Sequence, residues 1–225
     1  MSEQSSEEKV IPDILFILDE SGSMSSMGIE PVQAVNKFID DQKAAMGDDG
    51  ATFSLWKFNN NVVKLIDDVP LKDVEEFSDF KPKGVTSLYD AIGHAIDTKK
   101  KKKSFDNVVC IILTDGLENN SKEYSFRKIC RMIKDMKENH NWNFVYLGAN
   151  QDAFEVGSAM GVDHCAEYTC DAGEMIDITE QISESVTLYR THASNLGRKA
   201  VLTLSERLTQ TSNEFSQRQY MTSPL

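Results

Sequence analysis

Three oxygen-bearing side chains follow the first apolar run of the chain at alternating positions. Asp19, Ser21 and Ser23 come directly after residues 14–18, which are all aliphatic or aromatic. One carboxylate and two hydroxyls with this spacing can bind a hard divalent cation, because such ions prefer oxygen ligands. The same residues can instead form an Asx or Ser turn that caps the next helix. Taken alone, this stretch leaves both interpretations open.

Two later segments add oxygen-bearing side chains beside predicted strands. Thr86 lies in the sequence GVTSLYDA, a loop before a helix, and Thr114 and Asp115 follow the apolar run 108–113. Ligands of doubly wound sheets bind where the strands end at their carboxyl edge, so we expect these loops to converge there. The set contains no histidine or cysteine, and it therefore favours Mg²⁺, Mn²⁺ or Ca²⁺ over zinc.

The pattern along the chain predicts the strands and helices that must position these residues. Apolar runs predict strands at 10–18, 52–58, 62–66, 108–113, 144–147 and 165–168. Apolar residues at helical spacing predict helices at 29–46, 87–98, 126–136, 153–160 and from 171 through 189. This alternation predicts an α/β fold with a parallel, doubly wound sheet and right-handed connections.

The sequence also predicts the limits of the folded domain. Residues 1–9 are polar and are expected to form a flexible tail, and residues 10–194 are expected to form one domain. Residues 195–225 are expected to form a C-terminal extension or tail with one further helix at 200–208. The segment 67–83 carries a mixed pattern, in which the stretch LKDVEEF predicts one or two helical turns.

Composition and charge exclude several classes of function. A net charge of −12 argues against a nucleic-acid binder, which needs a basic face. No segment approaches the roughly 18 apolar residues of a membrane helix, and the first ten residues do not resemble a secretory signal. The four cysteines show no paired spacing, which favours a reducing, cytoplasmic compartment. His164, Cys165 and Cys170 fit no common zinc finger.

The segments DESGSM, GVTSLYDA and ILTDGLEN closely resemble the von Willebrand factor type A (vWA) domain. The signature of that family is D-x-S-x-S, then a threonine and then an aspartate, which together form the metal-ion-dependent adhesion site (MIDAS). All five positions are present, as Asp19, Ser21, Ser23, Thr86 and Asp115. The resemblance covers roughly residues 12–168. The sequence beyond the motif also resembles that of stand-alone intracellular or phage-type vWA proteins.

The resemblance implies a six-stranded, mostly parallel sheet with helices on both faces and an antiparallel edge strand near 62–66. It implies that the hydroxyls of Ser21 and Ser23 bind Mg²⁺ directly and that Thr86 does so directly or through water. Asp19 and Asp115 would hold waters around the ion, or one of them would move in. One coordination position would stay open for an Asp or Glu carboxylate of a protein partner, such as an AAA+ ATPase.

Several residues next to the motif are expected to have structural roles rather than to bind metal. Glu20, the variable position of the motif, is expected to face outward or to contact the rim. Gly22 and Gly84 are expected to serve backbone geometry. Ser87 and Asp90 are expected to cap and start the following helix rather than to bind metal.

The sequence thus favours a metal-dependent protein-interaction module over an enzyme. It contains no G-x-S-x-G, P-loop, G-x-G-x-x-G or C-x-x-C motif, and no catalytic triad can be assembled from it. One alternative is a structural subunit of a larger assembly in which the metal is incidental. A metal-dependent phosphoester enzyme is a further alternative, but it needs a nucleophile or base beside the ion.

Overall fold

One sheet of six strands lies at the centre of the computed structural model, which describes residues 12–46, 50–103, 105–149, 153–162, 164–168 and 173–196. The strands are β1 (Asp13–Asp19), β2 (Thr52–Phe58), β3 (Val62–Pro70), β4 (Val108–Thr114), β5 (Asn143–Ala149) and β6 (His164–Tyr168). Their order is β3-β2-β1-β4-β5-β6, and only the pair β2–β3 is antiparallel. The predicted six-stranded sheet with an antiparallel edge strand is confirmed.

Alternate side chains of the central strands enter two apolar cores, one on each face of the sheet. On β1, Ile14, Phe16 and Leu18 belong to the first core, whereas Leu15 and Ile17 belong to the second. All five side chains are fully buried. A strand that is covered on both faces has no position for a polar side chain, and this explains the unbroken apolar run before the motif.

Five α-helices cover the two faces of the sheet within the described residues. They are α1 (Glu30–Met46), α2 (Leu88–Lys99), α3 (Phe126–His140), α4 (Ala153–Met160) and α5 (Glu174–Leu196). Helices α1 and α5 pack on the first core, and α2, α3 and α4 pack on the second. The doubly wound arrangement is therefore confirmed. Among these helices, none is long and apolar enough to cross a membrane.

The edge strand and the segment after it differ from the sequence-based prediction. Strand β3 extends to Pro70 rather than ending at residue 66, because its pairing with β2 continues as far as the contact of Thr52 with Pro70. A single 3₁₀ turn, Leu71–Asp73, follows it. Residues 74–87 then reach α2 without forming a helix or strand.

Helix α5 belongs to the folded domain. It runs to Leu196, two residues beyond the predicted boundary at 194, and its Tyr189 is fully buried in the first core. The predicted N-terminal tail at 1–9 and the predicted helix at 200–208 lie outside the described residues.

Polar contacts hold α5 to α1 near both ends of α1. Near its start, the Glu30 carboxylate accepts the backbone N–H groups of Gly173 and Met175 at 2.9 and 3.2 Å. Near its end, Nη1 of the fully buried Arg190 donates to Gln42 Oε1 at 2.7 Å. A buried guanidinium needs such acceptors, so these contacts fix how the two helices lie side by side.

Candidate metal centre

Strands β1 and β4 are neighbours and leave the sheet side by side. They pair in parallel up to Leu18 and Leu113, which places Asp19 and Thr114 next to each other at the carboxyl edge. Asp19 is fully buried, and its Oδ2 accepts the Thr114 hydroxyl at 2.5 Å. Asp115 follows directly at the exit of β4. The topology thus brings together two carboxylates that are distant in the sequence.

After Asp19, the chain turns into a 3₁₀ helix, Gly22–Met27. The Ser21 amide donates to Asp19 Oδ1 at 2.6 Å, which is the Asx-type turn that the sequence allowed. The hydroxyl oxygens of Ser21 and Ser23 are 3.1 Å apart, and Ser23 Oγ donates to Asp115 Oδ1 at 2.6 Å. The Ser21 side chain does not cap the helix. The residues that form the Asx-type turn are therefore also residues of the candidate metal site.

Gly116 marks a small cradle between the predicted ligands. A Cβ atom at this position would lie 2.9 Å from Thr86 Oγ1 and 3.6 Å from both Asp19 Oδ2 and Ser23 Oγ. Three oxygens thus surround one point that only glycine leaves free. Ser21 Oγ and Asp115 Oδ1 both contact Ser23 Oγ, so the other two residues of the predicted set lie beside this point.

Two glycines and an asparagine place Thr86 at the cradle. The Gly22 amide donates to Gly84 O at 3.1 Å, which ties the motif turn to the segment that carries Thr86. Gly84 has a φ of 79°, and a Cβ there would come within 1.7 Å of Asn60 Oδ1. The Thr86 amide donates to Asn119 Oδ1 at 2.9 Å, and the Asn119 amide donates back to Thr86 O at 3.1 Å. Both glycines thus have the backbone role that the sequence predicted.

The residues predicted to start α2 have partly different roles. Ser87 precedes the helix, but the prediction that its side chain caps α2 is wrong, because Ser87 Oγ instead accepts from Asn120 Nδ2 at 2.8 Å. Asp90 lies in the first turn as predicted. Its carboxylate also accepts the backbone N–H groups of residues 122–124, each at 2.9 Å. Asp90 therefore joins α2 to the loop that follows β4.

Glu118 is a further residue that shapes the site and that the sequence did not single out. Its carboxylate accepts the backbone N–H groups of Tyr89, Asn120 and Ser121 at 2.6–3.0 Å. These bonds fix the loop after Asp115. Glu118 and Asn119 lie in the segment ILTDGLEN, but the sequence alone did not show their role, because most of the groups that they bind are backbone N–H groups brought near only by folding.

Glu20 does not face outward, so the first of its two predicted alternatives is wrong, while its contacts with the segment before Thr86 agree with the second. Its side chain is buried, and Oε1 accepts from Lys57 Nζ at 2.9 Å and from the Lys81 amide at 2.7 Å. Lys57 Nζ also contacts Asp79 Oδ2 at 2.8 Å. Burial alone would lower the pKa of Lys57, but its hydrogen bonds with Asp79 and Glu20 together raise it.

Burial sets the electrostatics of the site. The pKa of Asp19 is raised to about 6, because removal from water disfavours its charged form more than the hydrogen bonds from Thr114 and Ser21 favour it. The nearby charge of Asp115 raises it further. Burial likewise raises the pKa of Asp115, against the opposing hydrogen bond from Ser23. A cation at the cradle would reverse this balance, since it stabilises both carboxylates in their charged form.

The donor atoms fit a hard divalent cation. Two carboxylates and three hydroxyls face one cradle, and all of them offer oxygen, as Mg²⁺, Mn²⁺ and Ca²⁺ require. Within the residues that the structure describes, no group of three or more His, Cys, Asp or Glu side chains could hold a metal, which leaves no zinc-type cluster there. His164 and Cys165 lie on β6, and Cys170 is outside the described residues.

Comparison with known proteins agrees with this architecture. The family model described as the von Willebrand factor type A domain matches residues 13–161. A comparison with curated proteins found none that matches.

Solved structures with the same fold come from diverse sources. The mussel byssus proximal thread matrix protein 1 has a TM-score of 0.53 and 19% identity, with 82% of this chain and 47% of that chain covered. The pilus adhesin SpaC of Lactobacillus rhamnosus GG has a TM-score of 0.63 and 12% identity, with 80% and 30% covered. The pili tip protein Mfa5 domain of Porphyromonas gingivalis has a TM-score of 0.59 and 11% identity, with 79% and 96% covered. The chain thus spans less than half of the first two proteins.

Proposed function

Because the chain belongs to the von Willebrand factor type A domain family, we propose that it is a protein-interaction module that binds its partner through a divalent cation. The cation is Mg²⁺, with Mn²⁺ and Ca²⁺ as the alternatives. The ligands are the five residues that meet at the cradle, namely Asp19, Ser21, Ser23, Thr86 and Asp115. The observation that carries this proposal is that Asp19, Ser23 and Thr86 place oxygens around the space that Gly116 leaves free. Ser21 and Asp115 contact Ser23 beside it.

Each residue of the site has a separate part in the proposal. Asp19 holds the Ser21 amide, and Asp115 accepts the Ser23 hydroxyl, so the carboxylates orient the two serines. Thr86 is supplied by a separate segment that Gly84 and Asn119 fix. The bound cation would supply a positively charged contact for an incoming carboxylate. Three of the five ligands are neutral hydroxyls, so the ion would keep enough charge to attract an anionic group.

The proposed partner is a protein that presents an aspartate or glutamate side chain. The chain itself is acidic, with a net charge of −12, so general charge attraction cannot bring an acidic partner to it. In the proposed contact the cation supplies the positive charge that the partner carboxylate needs, and binding should therefore depend on metal. The partner classes that we propose are an AAA+ ATPase in the cytoplasm or a neighbouring subunit of an assembly.

We propose no catalytic role for the site. An enzyme that uses the same ion would need a nucleophile or general base beside it. Both carboxylates at the cradle already accept hydrogen bonds from neighbouring side chains. Two of the solved structures with this fold bear the names of an adhesin and a matrix protein, which is in keeping with an interaction role.

Calorimetric titration of Mg²⁺ and Mn²⁺ into metal-free protein tests the proposal. We expect binding by the wild type and its loss in Asp19→Ala and Ser21→Ala. Asp73→Ala is the matched control, because Asp73 is an exposed acid beside the end of β3, at the opposite edge of the sheet. Absence of binding by the wild type at millimolar metal would contradict the proposal.

A second experiment separates the interaction role from its alternatives. Partners captured by the wild type in Mg²⁺ should be released by EDTA and should not bind Asp19→Ala. Partner binding that persists in EDTA would instead favour a structural subunit in an assembly. Turnover of a panel of phosphoesters by the wild type, lost in Asp19→Ala, would favour the enzyme.

A further inference from the structure

The position of Thr86 depends on a long irregular segment. Residues 74–87 begin next to the Leu71–Asp73 turn, where the Leu71 amide donates to Ala51 O before β2 starts, at the amino edge of the sheet. They end at α2, next to the carboxyl edge where the cradle lies. The segment therefore runs the length of the sheet without a helix or strand to hold it. Contacts with its neighbours must decide where Thr86 Oγ1 lies.

Glu20 and Gly22 hold the second half of this segment. Glu20 Oε1 accepts the Lys81 amide at 2.7 Å, and Glu20 O accepts the Lys83 amide at 2.9 Å. The Gly22 amide donates to Gly84 O at 3.1 Å. The motif turn that supplies Ser21 and Ser23 is thus joined to the segment that supplies Thr86 at three successive points.

Lys57 completes this connection from β2. Its Nζ lies 2.9 Å from Glu20 Oε1, 2.8 Å from Asp79 Oδ2 and 2.9 Å from Asp79 O. Asn59 Nδ2 also donates to Glu20 Oε2 at 3.3 Å. Lys57 and Glu20 are only 7% and 5% exposed. Because both side chains are buried, removal of either one would leave the charge of the other in an apolar environment without this partner.

We propose that Glu20 and Lys57 are positioning residues of the cation site. Their salt bridge holds residues 79–84 against the motif turn, and this sets the distance between Thr86 Oγ1 and the serine hydroxyls. Neither residue contacts the cation. The inference rests on the proposed function and assigns a role to the variable position of the D-x-S-x-S motif in this chain.

The test compares two variants with a matched control. Lys57→Met removes the positive charge of the salt bridge. Glu20→Gln removes the negative charge but keeps an acceptor oxygen for the Lys81 amide. Lys99→Met is the control, because Lys99 is another buried lysine, 3% exposed, that pairs with Asp13 and Asp68 at the start of β1. It should affect folding without affecting the cradle.

Two readouts are measured for each protein. The first is the Mg²⁺ affinity by calorimetry, which should fall about tenfold or more in Lys57→Met and Glu20→Gln and stay unchanged in Lys99→Met, as for residues that orient metal ligands. The second is hydrogen exchange of the Lys81 and Lys83 amides in metal-free protein. It should become faster in the first two variants, relative to the amides of β4, and not in Lys99→Met.

The outcomes are distinguishable. Unchanged exchange of both amides in Glu20→Gln and Lys57→Met overturns the idea that the pair holds the segment. Faster exchange with unchanged Mg²⁺ affinity overturns its role in positioning Thr86. If the wild type binds no Mg²⁺ at all, the proposed function fails, while the exchange data still decide whether the pair holds the segment. If Lys57→Met does not fold, Glu20→Gln decides by the same two readouts.

Discussion

Ser23 Oγ donates a hydrogen bond of 2.6 Å to Asp115 Oδ1 across 92 residues of sequence. The contact exists because β1 and β4 are parallel neighbours whose carboxyl ends meet at one edge of the sheet. It orients the serine hydroxyl at the cradle beside Gly116. The predictions below follow from the geometry of this edge and from the contacts that support it.

Gly116→Ala should weaken Mg²⁺ binding strongly without unfolding the protein. The new methyl group would enter the cradle 2.9 Å from Thr86 Oγ1, a distance that forces the threonine to shift. Calorimetry should show at least a tenfold loss of Mg²⁺ affinity, in the range seen when a group that orients ligands is displaced. Thermal unfolding of the metal-free protein serves as the control and should change by only a few degrees. Unaltered Mg²⁺ affinity would place the cation elsewhere.

The contribution of Asp19 to the stability of the metal-free protein should fall as the pH rises from 4 to 7. Asp19 has an unfolded pKa of 3.8 and a folded pKa of about 6, so the folded state binds more protons between these values. The stability that Asp19 contributes is therefore fully present below its unfolded pKa, and it is lost as the pH rises through its folded pKa. The full shift of the Asp19 pKa corresponds to about 3 kcal/mol, at 1.36 kcal/mol for each pH unit. About 2 kcal/mol of this is lost between pH 4 and pH 7, because pH 4 already lies above the unfolded pKa.

Urea unfolding of the wild type and Asp19→Asn measures this effect, because subtraction removes the contribution of the other titrating groups. Relative to the wild type, Asp19→Asn should become more stable by about 2 kcal/mol between pH 4 and pH 7. Saturating Mg²⁺ should remove most of this change in the wild type, since the ion stabilises the charged carboxylate. A stability difference that does not vary with pH would show that Asp19 keeps an ordinary pKa.

Gly84→Ala should destabilise the protein for two reasons that can be separated. The residue has a φ of 79°, which costs an L-residue about 1–2 kcal/mol, and its new Cβ would overlap Asn60 Oδ1. Denaturant unfolding should therefore show a loss above 2 kcal/mol. The double variant Gly84→Ala with Asn60→Ala should recover the part that comes from overlap but not the part that comes from φ. Full recovery would mean that the backbone there relaxes without strain.

Gln42→Leu should destabilise the contact between α1 and α5. It removes the oxygen that Arg190 Nη1 binds at 2.7 Å, in a place where the guanidinium is fully buried. The expected loss is about 2–3 kcal/mol, as for a hydrogen bond to a buried charged group. Asp40→Leu, at an exposed position of the same helix, is the control and should change stability by less than 1 kcal/mol. Equal effects of the two substitutions would contradict a specific role for the Gln42–Arg190 contact.

Several features of the molecule follow from local sequence. The runs at 14–18 and 108–113 predict central strands, because only strands covered on both faces can be apolar at every position. The helical spacing on either side of them predicts the layers. Strand ends were predicted less well, and β3 continues past residue 66 because its length depends on pairing with β2.

The roles of single polar residues depended more on folding. The Ser87 side chain does not cap α2, since the Asn120 side chain donates a hydrogen bond to it. Glu20 has the sequence context of an exposed loop residue, yet it is buried because Lys57 on β2 lies beside it. Sequence spacing cannot show such pairs when the partners are far apart along the chain.

The sequence by itself determined the order of strands and helices and the identity of the oxygen-bearing residues at three strand or helix ends. The tertiary structure alone decided that Thr86, Ser23 and Asp19 surround one point next to Gly116, and that the Glu20–Lys57 pair supports the segment that carries Thr86. The physical reason is one of range. Strand and helix formation depends on neighbours along the chain, whereas a site and its supporting contacts depend on which strands lie side by side.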